Sequence, residues 1–556
     1  MSNKKRRNIR KKLYNDSDDG DEKQETIVLD QTHEKSRDKN INDSVVMTPP
    51  PRLSFIDEID DEVIMSPSIK ANPAVKNINQ NANTQISKTE ETNLEEIKSK
   101  NQAIQSSSTK TKDLKIDKGE LILEEEPYAA VVDDNNLDKF CSGCFAKPTR
   151  LLRCSACNLL HYCSERCQRS DWKQHKEECK TFVRLQRKPP ASIRVFCRIL
   201  KRRSVDKDSF AAIKNLNTNR TKFKQEEIET FAQLSILVKE CIEPLAAGEM
   251  IELFCRLTCN SFSVLDEEMI GIGVGIYTNA ALINHSCVPN CLATFDGSKL
   301  MVRNIQPIQK DEEITIAYTD LGIPTMERRR ELNERYFFLC QCELCKQYES
   351  KENVDPRSAL RCKTRGCTNP IEPPDPLEMQ EEIIVECSIC KQIITYDTAD
   401  VENQIKESIE LYEKGMKLLV QDVDEEKAIS QLERSFELQK NLLHISNQNL
   451  IRTQKSLIEL YSKQRNWPMA LSHSQLLIDA YRFLFTEWHP LIGIQLLVTG
   501  RLLLCMHQDD EGVRNLRDSL RILEVSHGYQ HSLTKSVADI LKQMERDISI
   551  RQGKFD

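Results

Sequence analysis

The chain has 556 residues, 79 Lys and Arg against 86 Asp and Glu, a formal net charge of -7, 39% apolar residues and 21 cysteines. That length exceeds what one hydrophobic core can organise, so three or more folded units with linkers are expected. No run of about 18 apolar residues occurs and the first residues are polar and charged, which argues against a membrane span or a secretory signal. A soluble intracellular chain keeps its thiols reduced, so close cysteine spacing points to zinc rather than disulfides. The mildly acidic balance gives no global attraction to nucleic acid or anionic lipid.

Residues 1–110 are rich in Asn, Lys, Asp, Glu, Ser and Thr without sustained periodicity and read as a disordered tail. Their opening cluster Lys4, Lys5, Arg6, Arg7, Arg10, Lys11, Lys12 reads either as a nuclear localisation signal or as a solvated basic end. Thr48-Pro49 and Ser66-Pro67 are weak candidates for kinase sites. Folded sequence is expected from about Asp113, and 111–137 holds a strand, with Gly119-Glu120 turning into Leu121, Ile122 and Leu123. A cysteine-rich block follows at 138–180, then a helical, basic stretch at 181–245. There Arg198, Lys201, Arg202 and Arg203 read as a solvated helix face, or as a contact for nucleic acid or an acidic substrate. From 250 to 320 short apolar strands alternate with turns. Further cysteine clusters lie in 321–350 and 358–398. Over 401–556 amphipathic helices dominate, opened by Ile405, Ile409, Tyr412, Met416 and Leu419 on one stripe, and their pairing suggests tetratricopeptide-like hairpins.

The cysteine spacings carry chemistry. Cys141-x2-Cys144, Cys154-x2-Cys157, Cys163-x3-Cys167 and His175-x3-Cys179 supply eight soft or borderline donors, enough for two tetrahedral zinc sites. So small a block has little core to bury, and metal must supply folding free energy, roughly 10–16 kcal/mol for a structural zinc. With no open coordination position, the role is structural or recognitive. Cys340-x-Cys342-x2-Cys345 offers three donors and needs a fourth from elsewhere. Cys362-x4-Cys367 with Cys387-x2-Cys390 completes a set of four suited to a small zinc ribbon. The unpaired Cys197, Cys241, Cys255, Cys259, Cys291 and Cys505 read as core thiols.

The stretch Asn284-His285-Ser286-Cys287-Val288-Pro289-Asn290 is preceded by Gly273-Val274-Gly275-Ile276-Tyr277 and followed by Ile314-Thr315-Ile316-Ala317-Tyr318. Each piece alone is ordinary loop and strand. In this order, with a cysteine trio downstream, they resemble a SET domain. The first cysteine block, with Tyr162 before Cys163 and Trp172 before His175, resembles a MYND finger. Together they resemble the SET and MYND domain family of protein lysine methyltransferases, from about residue 113 to 348 and more loosely through the helical region.

That resemblance implies an α+β fold: a β-rich SET domain (111–137 and 246–320) with an inserted MYND zinc finger (138–180) and helical insert (181–245). A cysteine-rich post-SET segment (321–350), a small zinc ribbon (358–398) and an all-α tetratricopeptide-like lobe (401–556) follow. It implies interleaved finger sites, Cys141, Cys144, Cys163 and Cys167 in one and Cys154, Cys157, His175 and Cys179 in the other, and a third zinc on Cys287, Cys340, Cys342 and Cys345. Asn260, Asn284, His285, Tyr318 and Phe338 are implied contacts of S-adenosylmethionine, Tyr318 the catalytic residue, and Phe262 and Tyr336 the walls of a lysine channel. Such a channel strips water from the ammonium and favours the neutral amine, whose pKa in water is near 10.4. Protein substrates, histone or non-histone, peptide partners of the finger and lobe, a monomeric state and residence in nucleus and cytoplasm complete the expectation. The family's Gly-x-Gly before the first strand has no counterpart in Ser106 to Thr111, and Ala281 stands where relatives often carry a hydroxyl. These departures keep a non-catalytic adaptor as the alternative, with a DNA-binding zinc-finger regulator behind it for lack of a strong basic surface.

Overall fold

The computed structural model describes residues 116–350, 353–374, 381–421 and 424–551. The tail with its basic cluster and Ser/Thr-Pro dipeptides, and the glycine-free stretch Ser106 to Thr111, lie outside the described residues.

Gly119, at φ 88°, turns the chain into β1 (Leu121–Glu125), a backbone state that favours glycine. After β2 (Ala129–Val132), the finger region contributes the two-residue strands β3 (Leu152–Arg153) and β4 (His161–Tyr162) and the long helix α1 (Glu165–Leu185). Helices α2 (Ala191–Val205), α3 (Lys207–Lys214), α4 (Gln225–Cys241) and α5 (Ala247–Asn260) follow. Strands β5 (Ser261–Leu265), β6 (Gly271–Ile276), β7 (Asn284–His285), β8 (Cys291–Asp296), β9 (Lys299–Asn304) and β10 (Thr315–Ile316) come next.

Two three-stranded sheets result, ordered β1-β9-β8 and β2-β6-β5, all pairs antiparallel, while β7 and β10 pair in parallel. In β6 the glycines serve this packing: a Cβ on Gly273 would stand 2.4 Å from the Val131 carbonyl, and one on Gly275 would stand 2.8 Å from the Tyr277 ring. The expectation of strands from 250 onward fails as far as Asn260, where the chain is still in α5. Met250, Leu253, Phe254 and Leu257 recur at helical spacing, and that period prevails over the β propensity of the neighbouring segments. Phe254 stacks between Phe196 of α2 (4.2 Å) and Phe231 of α4 (5.6 Å), and the same core takes in Val274 and Ile276 of β6. The helical stretch and the strands it interrupts therefore share one core.

Helices α6 (Thr325–Tyr336) and α7 (Glu343–Glu349) lead to two small hairpins, β11 (Leu360–Arg361) with β12 (Pro370–Ile371) and β13 (Glu382–Glu386) with β14 (Ile393–Asp397). The remaining described chain is helical: α8 (Thr398–Val420), α9 (Glu425–Leu442), α10 (Gln448–Lys463), α11 (Trp467–Leu484), α12 (Pro490–Cys505), α13 (Asp509–Ser526) and α14 (Ser532–Arg551). None of the described helices is long and apolar enough to cross a membrane.

On α8 the buried seam is Val401, Ser408, Leu411 and Gly415. The apolar stripe from Ile405 to Leu419 is only partly buried, on the flank of that seam. Small residues decide this. Ser435 of α9 donates to the Ser408 carbonyl at 2.7 Å, and a Cβ on Gly415 would lie 2.9 Å from Leu432, so the helices meet where side chains are short.

Polar contacts tie the helical lobe to the preceding part of the chain. Arg303 of β9 donates to the carbonyls of His527 and Gly119, both at 2.9 Å. His531 accepts from Leu533 N through Nδ1, which leaves its proton on Nε2 to donate to the Phe295 carbonyl at 2.9 Å. Gln448 of α10 donates to Glu327 of α6 at 3.0 Å.

Candidate functional site

Four groups of cysteine and histidine converge, each with its four ligand atoms within 4.8 Å of one another. They are Cys141, Cys144, Cys163, Cys167; Cys154, Cys157, His175, Cys179; Cys287, Cys340, Cys342, Cys345; and Cys362, Cys367, Cys387, Cys390. Three share one local device: the residue after the second cysteine of a C-x2-C pair is left-handed, Phe145 at φ 60°, Asn158 at 58° and Lys391 at 60°. Its amide donates back to the carbonyl of the first cysteine, at 2.8 to 2.9 Å, which curls both thiols toward one point. All the cysteines are free thiols.

The geometry fits zinc. Sulfur pairs stand 3.7 Å apart for Cys144 and Cys163, 3.8 Å for Cys154 and Cys179, 3.6 Å for Cys287 and Cys345, and 3.7 Å for Cys362 and Cys390. A tetrahedron with metal–sulfur bonds of about 2.3 Å has edges of about 3.8 Å. Hydrogen bonding from Cys144 brings the Cys141 thiol down to about 4, while Cys144 itself is pushed up by sharing that proton. Packed thiolates at these distances call for a cation.

The second finger site has a built surround. His175 turns Nε2 to the Cys157 sulfur at 3.5 Å and Nδ1 to the Glu178 carboxylate at 3.4 Å, so a carboxylate backs the imidazole. Burial alone would raise the Glu178 pKa, but Arg198 beside it, with His175, holds it at about 2. Arg198 grips both Glu178 oxygens, at 2.8 and 3.0 Å, reaches Asp171 at 3.1 Å, and donates to the Ala130 carbonyl of β2. Asp171 in turn accepts from the Tyr162 hydroxyl at 2.7 Å. The reading of the run from Arg198 to Arg203 as a solvated or nucleic-acid-facing face therefore needs correction at Arg198, while Arg202 remains exposed. Arg198 is 5% exposed, and Arg202 lies over the Tyr128 ring and donates to the Tyr128 carbonyl. Buried carboxylates on α1 turn the Arg198 guanidinium inward.

Around the third cluster the structure adds a residue that motif reading missed. Arg328 on α6 is fully buried and donates to the Cys287 sulfur at 3.4 Å, to the Ile323 carbonyl and to Thr325 Oγ1. It offsets the charge of four thiolates gathered beside it. The available signal was helical phase, because Arg328 lies one turn before the buried Leu332 within the run Arg328-Arg329-Arg330.

His285 joins this cluster to the candidate catalytic strand. Its Nε2 faces Cys287 at 3.3 Å and its Nδ1 accepts from Tyr318 N at 2.9 Å, so both ring nitrogens are engaged. The parallel pairing of β7 with β10 sets Asn284 opposite Thr315 and His285 opposite Ile316, and Asn290 braces the crossing through Thr315 N at 2.9 Å.

Rings gather on the other side. From Tyr318, the His285 ring is 5.3 Å away, Tyr336 4.9 Å and Phe338 6.4 Å. The Tyr318 hydroxyl donates to the Ile283 carbonyl at 2.5 Å, and burial pushes its pKa up, so the phenol stays neutral. Asn284 is exposed and donates its amide to Glu313 at 2.6 Å, which turns its carbonyl oxygen away as an acceptor. Asn260, closing α5, donates to the Arg256 and Asn217 carbonyls at 2.7 and 3.0 Å and likewise presents its oxygen. Phe262 packs edge-on against Tyr277 at 5.6 Å, in the same apolar cluster as Tyr318, while Tyr336 stands with Tyr318 and Phe338 beside the third cysteine group.

Of the remaining cysteines, Cys197, Cys255, Cys259 and Cys291 are buried and Cys241 is partly so, but Cys505 is exposed, against the expectation of a core thiol. It ends α12 beyond that helix's buried positions.

Fold and site thus define a mixed helix and strand protein with several cysteine-rich clusters suited to zinc, an aromatic-walled polar crossing and a helical C-terminal part. The MYND finger family matches residues 141–179. The chain is similar to histone-lysine N-methyltransferase ASHR1 of Arabidopsis thaliana, 27% identical over 452 residues, covering 78% of this chain and 92% of the relative. Histone-lysine N-methyltransferase SMYD3 of Mus musculus is 26% identical (77% and 93% covered), and N-lysine methyltransferase SMYD2 of Gallus gallus is 25% identical (77% and 92%). The chain thus carries a match to the MYND finger and is similar, over more than three quarters of its length, to lysine methyltransferases.

Proposed function

We propose that the protein is an S-adenosylmethionine-dependent protein lysine N-methyltransferase. The observation that carries this is the meeting of His285, Tyr318, Tyr336 and Phe338 beside the β7–β10 crossing, with the Asn284 carboxamide at its edge. In this reading β1, β2 and β5–β10 form the SET domain. The carbonyl oxygens of Asn260 and Asn284, the backbone at His285 and the Phe338 ring hold the cofactor, which supplies an electrophilic methyl group on a sulfonium sulfur. Two zinc ions would sit in the MYND finger, one on Cys287, Cys340, Cys342 and Cys345, and one in the ribbon formed by β11–β14.

The chain's own groups account for the rest. Tyr318, Tyr336 and Phe262 provide apolar walls that desolvate a lysine side chain and lower its pKa toward the reactive amine. Their ring faces attract residual positive charge. The Ile283 carbonyl fixes the Tyr318 hydroxyl, and His285 fixes the Tyr318 backbone, so the phenol is aimed before substrate arrives. Alignment of this kind contributes up to about 7–11 kcal/mol where the geometry is held. The substrates are proteins, histone or non-histone, met in nucleus and cytoplasm by a monomer, with the finger and lobe available to partner peptides.

Tyr318→Phe should lower methyl transfer to a lysine-rich protein acceptor by at least about 100-fold, the scale for one preorganised hydroxyl, while calorimetric affinity for S-adenosylmethionine stays near wild type. Absence of cofactor binding by the wild-type, zinc-loaded chain would replace this reading with that of an adaptor.

A further inference from the structure

Six cysteines lie outside the four clusters, and two of them, on different helices, line the same cleft. Cys197, in the middle of α2, is 6% exposed, and Cys241, the last residue of α4, is partly exposed. Both line one small cleft between α1, α2 and α4, with space for about one water-sized molecule. The neighbouring thiols act on each other's titration, which lowers the Cys241 pKa and, with burial, raises that of Cys197. The charged groups around the pair are of both signs. Arg184 and Arg187 stand near Cys241, both bonded to Glu240, and Lys201, Arg194, Glu177 and the mutually satisfied Arg198 and Glu178 complete the cleft wall. The other four cysteines lack this arrangement: Cys255, Cys259 and Cys291 are buried, with thiols pushed up to about 12 by burial, and Cys505 is exposed at the end of α12.

We infer that Cys241 and Cys197 are a peroxide-responsive thiol pair, with Cys241 the attacking and Cys197 the resolving sulfur, closing a reversible disulfide between α4 and α2. A partly accessible thiol with a second, buried thiol at hand is the arrangement that reversible redox sensing requires. The substrate is a small hydroperoxide, hydrogen peroxide being the smallest of that class and the one the narrow cleft favours. The Cys241 thiolate attacks one peroxide oxygen, forming an S–O bond and breaking the O–O bond, and the departing hydroxide takes a proton to become water. The Cys197 sulfur then attacks the sulfenic sulfur. The S–S bond forms, the S–O bond breaks, and hydroxide leaves with the Cys197 proton as a second water. Two thiols lose two electrons and one peroxide gains them. A dithiol reductant returns both thiols by exchange.

The test uses the full-length, zinc-loaded protein, titrated with hydrogen peroxide, blocked with an alkylating agent and mapped by mass spectrometry without reduction, with zinc per chain followed in parallel. The expected result is a peptide pair joining Cys197 to Cys241 before any zinc is released, lost on adding dithiothreitol and absent from Cys241→Ser. In Cys197→Ser a dimedone adduct should collect on Cys241. Because Cys197 is buried and its variant can misfold, the order of oxidation in the wild-type chain decides independently. Retention of both free thiols until zinc has left, or until Cys505 is fully oxidised, overturns the inference, as does a dimedone adduct that collects on Cys197 in Cys241→Ser.

Discussion

From Cys141 to Cys179 the chain has two-residue strands, most of the helix α1 and a handful of apolar side chains, and its most buried groups include Cys141, Cys154, Cys179 and His175. From α8 to α14 each helix buries a seam against its neighbours, in three apolar clusters built on residues such as Leu432, Leu457, Leu477, Leu516 and Val537. The metal-type clusters among the described residues all lie before α8. The first region lacks the apolar area that folding needs, and the proposed zinc ions substitute for it. The second has that area and uses none. The ribbon hairpin β13–β14 marks the boundary, since Ile384, Ile389 and Ile393 are 66%, 61% and 74% exposed while Cys387 beneath them is fully buried.

Removing metal should break this contrast most strongly. Chelation of the purified protein, or His175→Ala for the second finger site alone, forfeits a term of roughly 10–16 kcal/mol per structural zinc. Limited proteolysis should then cut within 141–179 first, while helical circular dichroism from the lobe persists. Simultaneous melting of both regions would show that the lobe depends on the metal-held half.

A finer break lies in how charge is buried. Arg198→Met leaves Asp171 and Glu178 facing each other without their cation, in a site where all three side chains are at most 8% exposed. Loss of one partner from such a network costs about 3–5 kcal/mol. Chemical denaturation should show that loss, with weaker zinc retention at the second finger site, because Glu178 backs His175. By contrast, Arg521 and Glu487 in the lobe pair at 2.8 Å with more than half of each side chain exposed, and Arg521→Ala should change stability by less than about 1 kcal/mol.

Chemistry written in spacing was the most legible part of the sequence. The C-x2-C and C-x3-C intervals marked the residues that the structure gathers, because two thiols within one turn have few other arrangements open to them. Which pairs share an ion, and that Cys287 completes the trio at 340–345, is not contained in spacing; it came with the family resemblance. Buried charge was illegible, since Arg198 and Arg328 sit in basic runs whose composition matches a solvated face. Only partners distant in sequence, Asp171 and Glu178 for the one and Cys287 for the other, turn them inward. The side-chain role of His285 was likewise hidden, because its bonds to Cys287 and to the Tyr318 backbone exist only once β7 and β10 have paired. On α8 the apolar period identified the helix but misplaced its seam, because hydrophobicity does not register that Ser408 and Gly415 permit the closest approach.

That last point gives the mildest break, within the lobe itself. Alanine is the better helix former by about 1 kcal/mol, so Gly415→Ala should stabilise an isolated α8. In the folded lobe its methyl group would stand 2.9 Å from Leu432 Cγ and 3.1 Å from the Ala428 carbonyl. The leucine can yield, whereas the carbonyl belongs to α9 and moves only with that helix. Overpacking of this kind typically costs about 1–3 kcal/mol, more than the propensity gain. The expected outcome is a lowered melting temperature with unchanged helical content, and Leu432→Ala in the same chain should recover the part due to the side chain and leave the part due to the carbonyl. Full recovery would locate the constraint in the leucine alone, and no loss at all would show that α8 and α9 have room to separate.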